Sequence, residues 1–232
     1  MDSMSINPAK EQIAQAGFVN KVYAWMCGAL MLTGLVAFLT AATPGIIETA
    51  VGNRLVFYAL LFSELGLVWY VSSRIDSLSG STATFLFLLY ALLNGLTLSV
   101  IFLAYTASSI GSTFFVTAGT FGAMSLYGYT TKRDLTSMGN LLIMALIGLI
   151  IASVVNIFLG SETIYWITTY AGVLIFVGLT AYDTQKIKLM ARADFQTTEN
   201  MQKGALMGAL TLYLDFINLF LFLLRIFGGR RR

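Results

Sequence analysis

Residues 140–159 read NLLIMALIGLIIASVVNIFL and carry no charged side chain. A helix needs about 20 predominantly apolar residues to cross the hydrocarbon core of a bilayer. The stretch has that length and composition, and it lacks the alternating polarity of a strand in a membrane β-barrel. It therefore predicts a transmembrane helix.

The composition of the whole chain agrees with this prediction. Of the 232 residues, 57% are hydrophobic and 11% are charged, whereas soluble domains carry about 25% charged residues. Too few polar side chains remain to cover a soluble domain or to keep the chain disordered. A soluble enzyme and a nucleic-acid-binding protein are therefore excluded, and the lipid bilayer is the first predicted partner.

Outward from residues 140–159, six further runs have the composition of spanning helices: residues 21–42, 54–73, 83–105, 110–131, 163–187 and 204–227. The fold class is thus predicted to be an all-α integral membrane protein with a bundle of seven transmembrane helices. A polar cytoplasmic N-terminal segment, residues 1–20, precedes a single transmembrane domain, residues 21–229, and a basic tail, residues 230–232, ends the chain. None of the sequence motifs common in enzymes is present, so no enzymatic activity is predicted.

The basic residues predict the orientation, because cytoplasmic loops of membrane proteins are rich in Lys and Arg. With the N-terminus in the cytoplasm, only Arg54 falls in an outer loop. The inner segments then hold Lys10, Lys21, Arg74, Lys132, Arg133, Lys186, Lys188, Arg192 and Lys203. A cytoplasmic N-terminus is therefore predicted.

The C-terminal tail does not fit this pattern. Seven complete spans would place Arg230, Arg231 and Arg232 outside, against the same rule. Either the seventh segment crosses in spite of the rule, or it is re-entrant and returns to the cytoplasm. The sequence leaves both possibilities open.

Three carboxylates fall within the predicted spans: Glu64, Asp183 and Asp215. Charged groups at this depth are costly and usually face a cavity or a partner. The direction of the helices and a rise of about 1.5 Å per residue place Asp183 and Asp215 at similar depths in the inner half of the bundle. Arg74 lies near the same level, whereas Glu64 belongs nearer the midplane or the outer half.

The two aspartates are candidates for a proton-binding pair. Two neighbouring carboxylates in a low-dielectric environment cannot easily both ionise and tend to share a proton. The chain has no histidine, so proton chemistry falls to such groups. A protonated pair can be hydrogen-bonded and closed, whereas an ionised pair repels itself or attracts a cation or Arg74. The alternative for each aspartate, and equally for Glu64, is a purely structural hydrogen bond.

The same pair is the predicted contact for a metal ion. Calcium takes six to eight oxygen ligands, usually including several carboxylates. Asp183 and Asp215, with carbonyl and water oxygens, predict a weak and transient calcium site, as conduction requires. Calcium would be the permeant ion, and no cofactor is predicted.

Three stretches resemble a known family: residues 178–187, GLTAYDTQKI; residues 208–220, GALTLYLDFINLF; and residues 127–135, YGYTTKRDL. They are similar to the Bax inhibitor-1 family, also called the transmembrane Bax inhibitor motif family, and in particular to its members in the inner membrane of bacteria. The resemblance extends from about residue 23 to residue 228. It implies a fold of seven helices with the C-terminal helix in the centre.

The resemblance also implies a function. It implies a pH-dependent calcium leak in which Asp183 and Asp215 are the pH sensor, and a latching arginine for which Arg74 is the nearest match. We therefore expect a passive, pH-sensitive calcium leak channel of a bacterial inner membrane, with Glu64 as a further candidate on the ion path. The alternatives are a membrane interaction protein that modulates a membrane protease or a stress or cell-death pathway, and a proton-coupled cation exchanger.

Overall fold

The computed structural model describes residues 8–191 and 197–231, and that part of the chain is almost entirely helical. A π-helical turn, Glu48–Gly52, and a 3-10 turn, Ile75–Ser77, flank one of the long helices. The α-helices are α1 (Pro8–Ala42), α2 (Pro44–Ile47), α3 (Arg54–Arg74), α4 (Gly80–Leu98), α5 (Val100–Ala104), α6 (Ala107–Thr130), α7 (Thr136–Leu159), α8 (Glu162–Met190) and α9 (Thr198–Phe227).

Six helical segments in the described ranges are long and apolar enough to cross a membrane: Gln15–Ala42, Arg54–Ser77, Gly80–Ala104, Thr136–Leu159, Glu162–Met190 and Thr198–Phe227. The prediction of an all-α membrane protein is confirmed. The predicted span at residues 110–131 does form a helix, α6, of 24 residues. Its many Gly, Ser and Thr residues keep it outside the six, so the count of seven spans stays a prediction.

Two element boundaries differ from the prediction. The segment predicted to be polar and separate is helical from Pro8 onward and continues into the first span without a break. Proline is favourable in the first helical turn, and the Ala, Lys, Glu and Gln residues that follow are good helix formers. The predicted third span is divided at Ser99, whose hydroxyl donates to the carbonyl of Leu96. Residues 1–7, Arg192 and Arg232, on which some predictions partly rest, lie outside the described residues.

The described residues form two compact units. One comprises residues 8–100, 186–191 and 197–210, and the other comprises residues 101–185 and 211–231. The helices α8 and α9 contribute residues to both.

In the first unit, α1 packs against α4. From Val19 onward, the buried positions of α1 recur every three or four residues, which is the spacing of one helix face; they are Val19, Val22, Met26, Ala29, Thr33, Ala37 and Thr40. The Thr33 hydroxyl donates to the carbonyl of Ala91 over 2.8 Å. A side chain at Gly95 would meet Val36 and the Thr33 backbone, so this glycine sets the close approach of the two helices.

The second unit has two distinct ends. At one end, Gln185 near the end of α8 binds the α6–α7 turn: its amide nitrogen donates to the carbonyl of Arg133, and its amide oxygen accepts from the N–H of Leu135. At the other end, the chain after α9 binds the start of α6. The N–H of Gly229 donates to the Ser109 hydroxyl, and the N–H of Thr106 donates to the Gly229 carbonyl.

These contacts give the direction of each helix in the second unit. The end that holds the chain after α9 is here called the tail end, and the end that holds the α6–α7 turn is called the turn end. The α6 helix runs from the tail end to the turn end, α7 runs back to the tail end, and α8 runs again to the turn end, where Gln185 lies. The Arg225 guanidinium of α9 lies 5.4 Å from the ring centre of Tyr165, near the start of α8. The α9 helix therefore continues without a break to the end that holds the tail.

The α9 helix is the most buried of the six candidate spans. In its most apolar stretch, 72% of the residues are buried, against 6% in α7. Its fully buried side chains include Leu212, Tyr213, Leu219 and Leu224.

Candidate proton and ion site

Asp183 has a position fixed by the residues on either side of it. Two residues further on, Gln185 binds the α6–α7 turn, which places Asp183 within one helical turn of that end. The two residues before it each pack against a glycine, Ala181 against Gly128 and Tyr182 against Gly139. A side chain at either glycine would collide with its neighbour. The helix that carries Asp183 is thus held by α6 and by α7.

Asp215 lies on α9 in direct contact with Asp183. The two residues are 5% and 7% exposed, respectively, and their carboxyl groups lie close enough to share a hydrogen bond. A carboxylate has no hydrogen to donate, so such a bond requires a proton on one of the two groups. The second oxygen of Asp215, Oδ2, is buried and has no hydrogen-bond partner in the described part of the chain.

The aspartate pair lies in the wall of a cavity of about 490 Å³ between α7, α8 and α9. Most of its lining is apolar, and the polar residues are Ser153, Asp183, Thr211, Asp215 and Asn218. Asn218 donates its amide N–H to the carbonyl of Leu214. No Lys or Arg of the described ranges lines the cavity.

Glu64 lies elsewhere, in a polar cluster within the first unit. The carboxylate is buried on α3 and accepts two hydrogen bonds from α4, one from Asn94 Nδ2 at 3.1 Å and one from Thr97 Oγ1 at 2.8 Å. The Thr97 oxygen is also 3.0 Å from the carbonyl of Asn94. The sequence predicts a carboxylate within a membrane span at Glu64. It does not predict the pairing of Glu64 with Asn94 and Thr97, because that pairing depends on how α3 packs against α4.

Arg74 is the last residue of α3, and its side chain is exposed. The guanidinium forms no salt bridge within residues 8–191 and 197–231. Its carbonyl accepts hydrogen bonds from the Ser77 hydroxyl and the Leu78 N–H, which together form the turn that leads into α4. Its role as a latch stays a prediction.

The described ranges contain no group of three or more Cys, His, Asp or Glu side chains arranged to hold a metal ion. Two carboxyl groups offer four oxygens at most, below the six to eight that calcium takes. A calcium ion at the pair would therefore need further oxygen ligands, from water or from neighbouring groups.

Comparison with known proteins places the chain in a family. Residues 15–232 match the family described as Inhibitor of apoptosis-promoting Bax1. The chain belongs to the Bax inhibitor-1 family. It is 56% identical to the inner membrane protein YbhL of Escherichia coli over 215 residues, which are 92% of each chain.

More distant relatives of this Bax inhibitor-1 family chain come from other bacteria. An uncharacterized protein of Borreliella burgdorferi is 46% identical over 96% of both chains. An uncharacterized membrane protein of Streptococcus pyogenes is 38% identical over 91% of this chain and 92% of its own. The match therefore extends over almost the whole length and includes both aspartate-bearing helices.

Proposed function

We propose that this protein is a passive, pH-sensitive leak for calcium in a bacterial inner membrane, with the Asp183–Asp215 pair as its proton-binding gate. The observation that carries the proposal is the close approach of the two carboxyl groups, both buried in the wall of a cavity that no basic residue of the described ranges lines. The location follows the E. coli relative, which is named an inner membrane protein.

The gate follows from the chemistry of the pair. With one proton, the two carboxyl groups are bonded to each other and hold α8 and α9 together. Without it, two negative charges face each other in a low-dielectric environment, and the charge is relieved by separation or by a cation. A cation held by two carboxylates and water binds weakly enough to leave again, as conduction requires. The leak is therefore expected to increase as the pH rises.

The proposed topology is a cytoplasmic N-terminus, seven crossings and the C-terminal helix in the centre of the bundle. The α6 helix runs between the same two ends of the second unit as α7 and α8, which supports its assignment as the seventh span. The tail at residues 229–231 binds the chain at residues 104–109, which this topology puts on the outer side. The burial of α9 supports its central position.

Arg74 and Glu64 have secondary roles in this proposal. Arg74, at the cytoplasmic end of α3, is the candidate latch for the ionised pair, since it is exposed and forms no salt bridge in the described ranges. Glu64 is a candidate for the ion path. Both oxygens of its carboxylate are engaged by Asn94 and Thr97, so an ion reaches it only when these bonds open.

Calcium flux across liposomes tests the proposal. Wild-type protein should release calcium down its gradient at a rate that increases with pH. Asp215→Asn should stay slow at every pH, because an amide donates to Asp183 whether or not a proton is present. Asp134→Asn, which alters an exposed carboxylate outside the pair, should behave as wild type.

Three outcomes would contradict the proposal. Equal flux from the wild type and Asp215→Asn at all pH values would remove the pair as the gate. Accumulation of calcium against its gradient, driven by a proton gradient, would show an exchanger. The absence of flux from folded wild-type protein would favour a role through binding of another membrane protein, such as a membrane protease.

A further inference from the structure

The cavity beside the aspartate pair arises from the way α7 packs. At its N-terminal end α7 is tightly joined to α8, with Gly139 against the Tyr182 ring and Leu142 against Gly178. Beyond these contacts α7 is largely exposed, and Leu149 is its only other buried residue. Along this part of the helix, Leu146, Leu149 and Ser153 line a space that α7 shares with α8 and α9. The space that opens is the 490 Å³ cavity, within the range of about 300–1,000 Å³ typical of ligand sites.

The polar groups of this cavity lie among apolar walls, and they include the two carboxyl groups of Asp183 and Asp215. Oδ2 of Asp215 is buried and receives no hydrogen bond from the described residues. Asn218 donates one of its two amide N–H groups to the carbonyl of Leu214, and its amide oxygen can accept a further hydrogen bond. The remaining lining is provided by side chains such as Leu146, Ile150 and Phe176.

From this arrangement we infer that the cavity binds a lipophilic amine, with its ammonium group on Asp183 and Asp215 and its apolar body against α7. Such a ligand satisfies both requirements of the site, since it supplies N–H donors and positive charge at one end and apolar surface elsewhere. A lipid acyl chain would fill the volume but bring no positive charge to the two aspartates in its wall. A hydrated calcium ion needs more oxygen ligands than the apolar part of the cavity offers.

Binding of an amine in this cavity is a property separate from the proposed calcium leak. Binding is measured without any ion flux, so a chain that conducts nothing still binds the amine if the cavity is correctly assigned. Conversely, a leak controlled by the pair does not require the cavity to accept an organic cation.

The test compares a matched pair of probes, 1-adamantanemethylamine and 1-adamantanemethanol, which share an apolar body and differ in the charged donor. Equilibrium binding of each is measured on protein in nanodiscs of neutral lipid, with protein-free nanodiscs subtracted to remove partition into lipid. The wild type should bind the amine saturably, at one site per chain, and at least tenfold more tightly than the alcohol.

Variants separate the two halves of the site. Asp215→Asn keeps the shape and should remove the preference for the amine, while Asp134→Asn, with its carboxylate outside the cavity, should keep it. Ser153→Trp should fill the cavity and abolish binding of both probes with Asp183 and Asp215 intact. Thermal unfolding and size-exclusion chromatography verify folding, and Asp183→Asn replaces Asp215→Asn if the latter fails to fold.

Two results would overturn the inference. Equal affinity of the wild type for the amine and the alcohol would show an apolar cavity suited to lipid. A preference for the amine that persists in both aspartate variants would place the ammonium group elsewhere.

Discussion

At the scale of single residues, Glu64 shows how one carboxylate joins two helices. Its oxygens accept from Asn94 and Thr97 on α4. The Thr97 hydroxyl has one hydrogen but two acceptors within reach, Glu64 Oε1 and the Asn94 carbonyl. A proton on Glu64 would allow both contacts, since the carboxyl would donate to Thr97 and Thr97 to the carbonyl. The geometry therefore suits a neutral side chain.

This geometry predicts different effects for two substitutions of Glu64. Glu64→Gln should leave the thermal unfolding temperature close to that of the wild type, because an amide can donate to Thr97 and accept from Asn94. Glu64→Ala should lower stability by about 1–2 kcal/mol, since two interhelical hydrogen bonds are lost. Thermal unfolding in detergent measures both. A Gln variant as unstable as the Ala variant would show that the ionised carboxylate is needed.

At the scale of elements, Gly128 controls how closely α6 approaches α8. A Cβ atom there would collide with the carbonyl oxygen of Ala181, a backbone atom that cannot rotate away. Gly128→Ala should therefore separate the two helices and displace Asp183, which lies two residues after Ala181. The calcium leak of the Gly128→Ala variant should depend much less on pH than that of the wild type, and the variant should unfold at a lower temperature. Gly122→Ala is the matched control on α6, since nothing lies within 4 Å of a Cβ at that position, and it should behave as wild type.

The α6–α7 turn has its own carboxylate, Asp134, outside the membrane-spanning segments. Hydrogen bonds from the hydroxyl and the N–H of Thr136 stabilise its ionised form and lower its pKa. Because the pKa of Asp134 is lower in the folded protein than in the unfolded chain, its ionisation stabilises the fold at pH values above its ordinary pKa of about 4. This stabilisation is lost as the pH falls through the folded-state pKa. Asp134→Ala should therefore speed hydrogen exchange of the amides at the start of α7 near neutral pH. Unchanged hydrogen exchange in the variant would show that the hydrogen bonds between Asp134 and Thr136 do not stabilise the turn.

The elements also show what the sequence could and could not predict. Runs such as residues 140–159 identify helices because their composition suits the bilayer whatever their neighbours are. The two aspartates stand out because charge is rare at this depth. The cavity between α7 and α9 was not predicted, since it depends on where helices separate. The role of Gln185 was not predicted either, because its partners are backbone groups of a turn 50 residues away.

At the scale of the whole molecule, the proposed topology predicts which ends of the helices face each side of the membrane. Lys132 in the α6–α7 turn and Arg231 in the tail are both exposed. Cys27 is the native thiol, so cysteines can be placed one at a time in a Cys27→Ser background. In intact cells, an impermeant thiol reagent should label Arg231→Cys and spare Lys132→Cys. Labelling of neither or of both would contradict seven crossings with a cytoplasmic N-terminus.

The central claim is that Asp183 and Asp215 act as one proton-binding unit that gates calcium. The most direct measurement is the pH dependence of calcium leak in liposomes for the wild type, Asp183→Asn, Asp215→Asn and the double variant. A shared proton predicts that either single substitution abolishes the pH dependence and that the second adds nothing. Two separate and additive changes in the pH profile would show that the two aspartates titrate independently, and would contradict the claim.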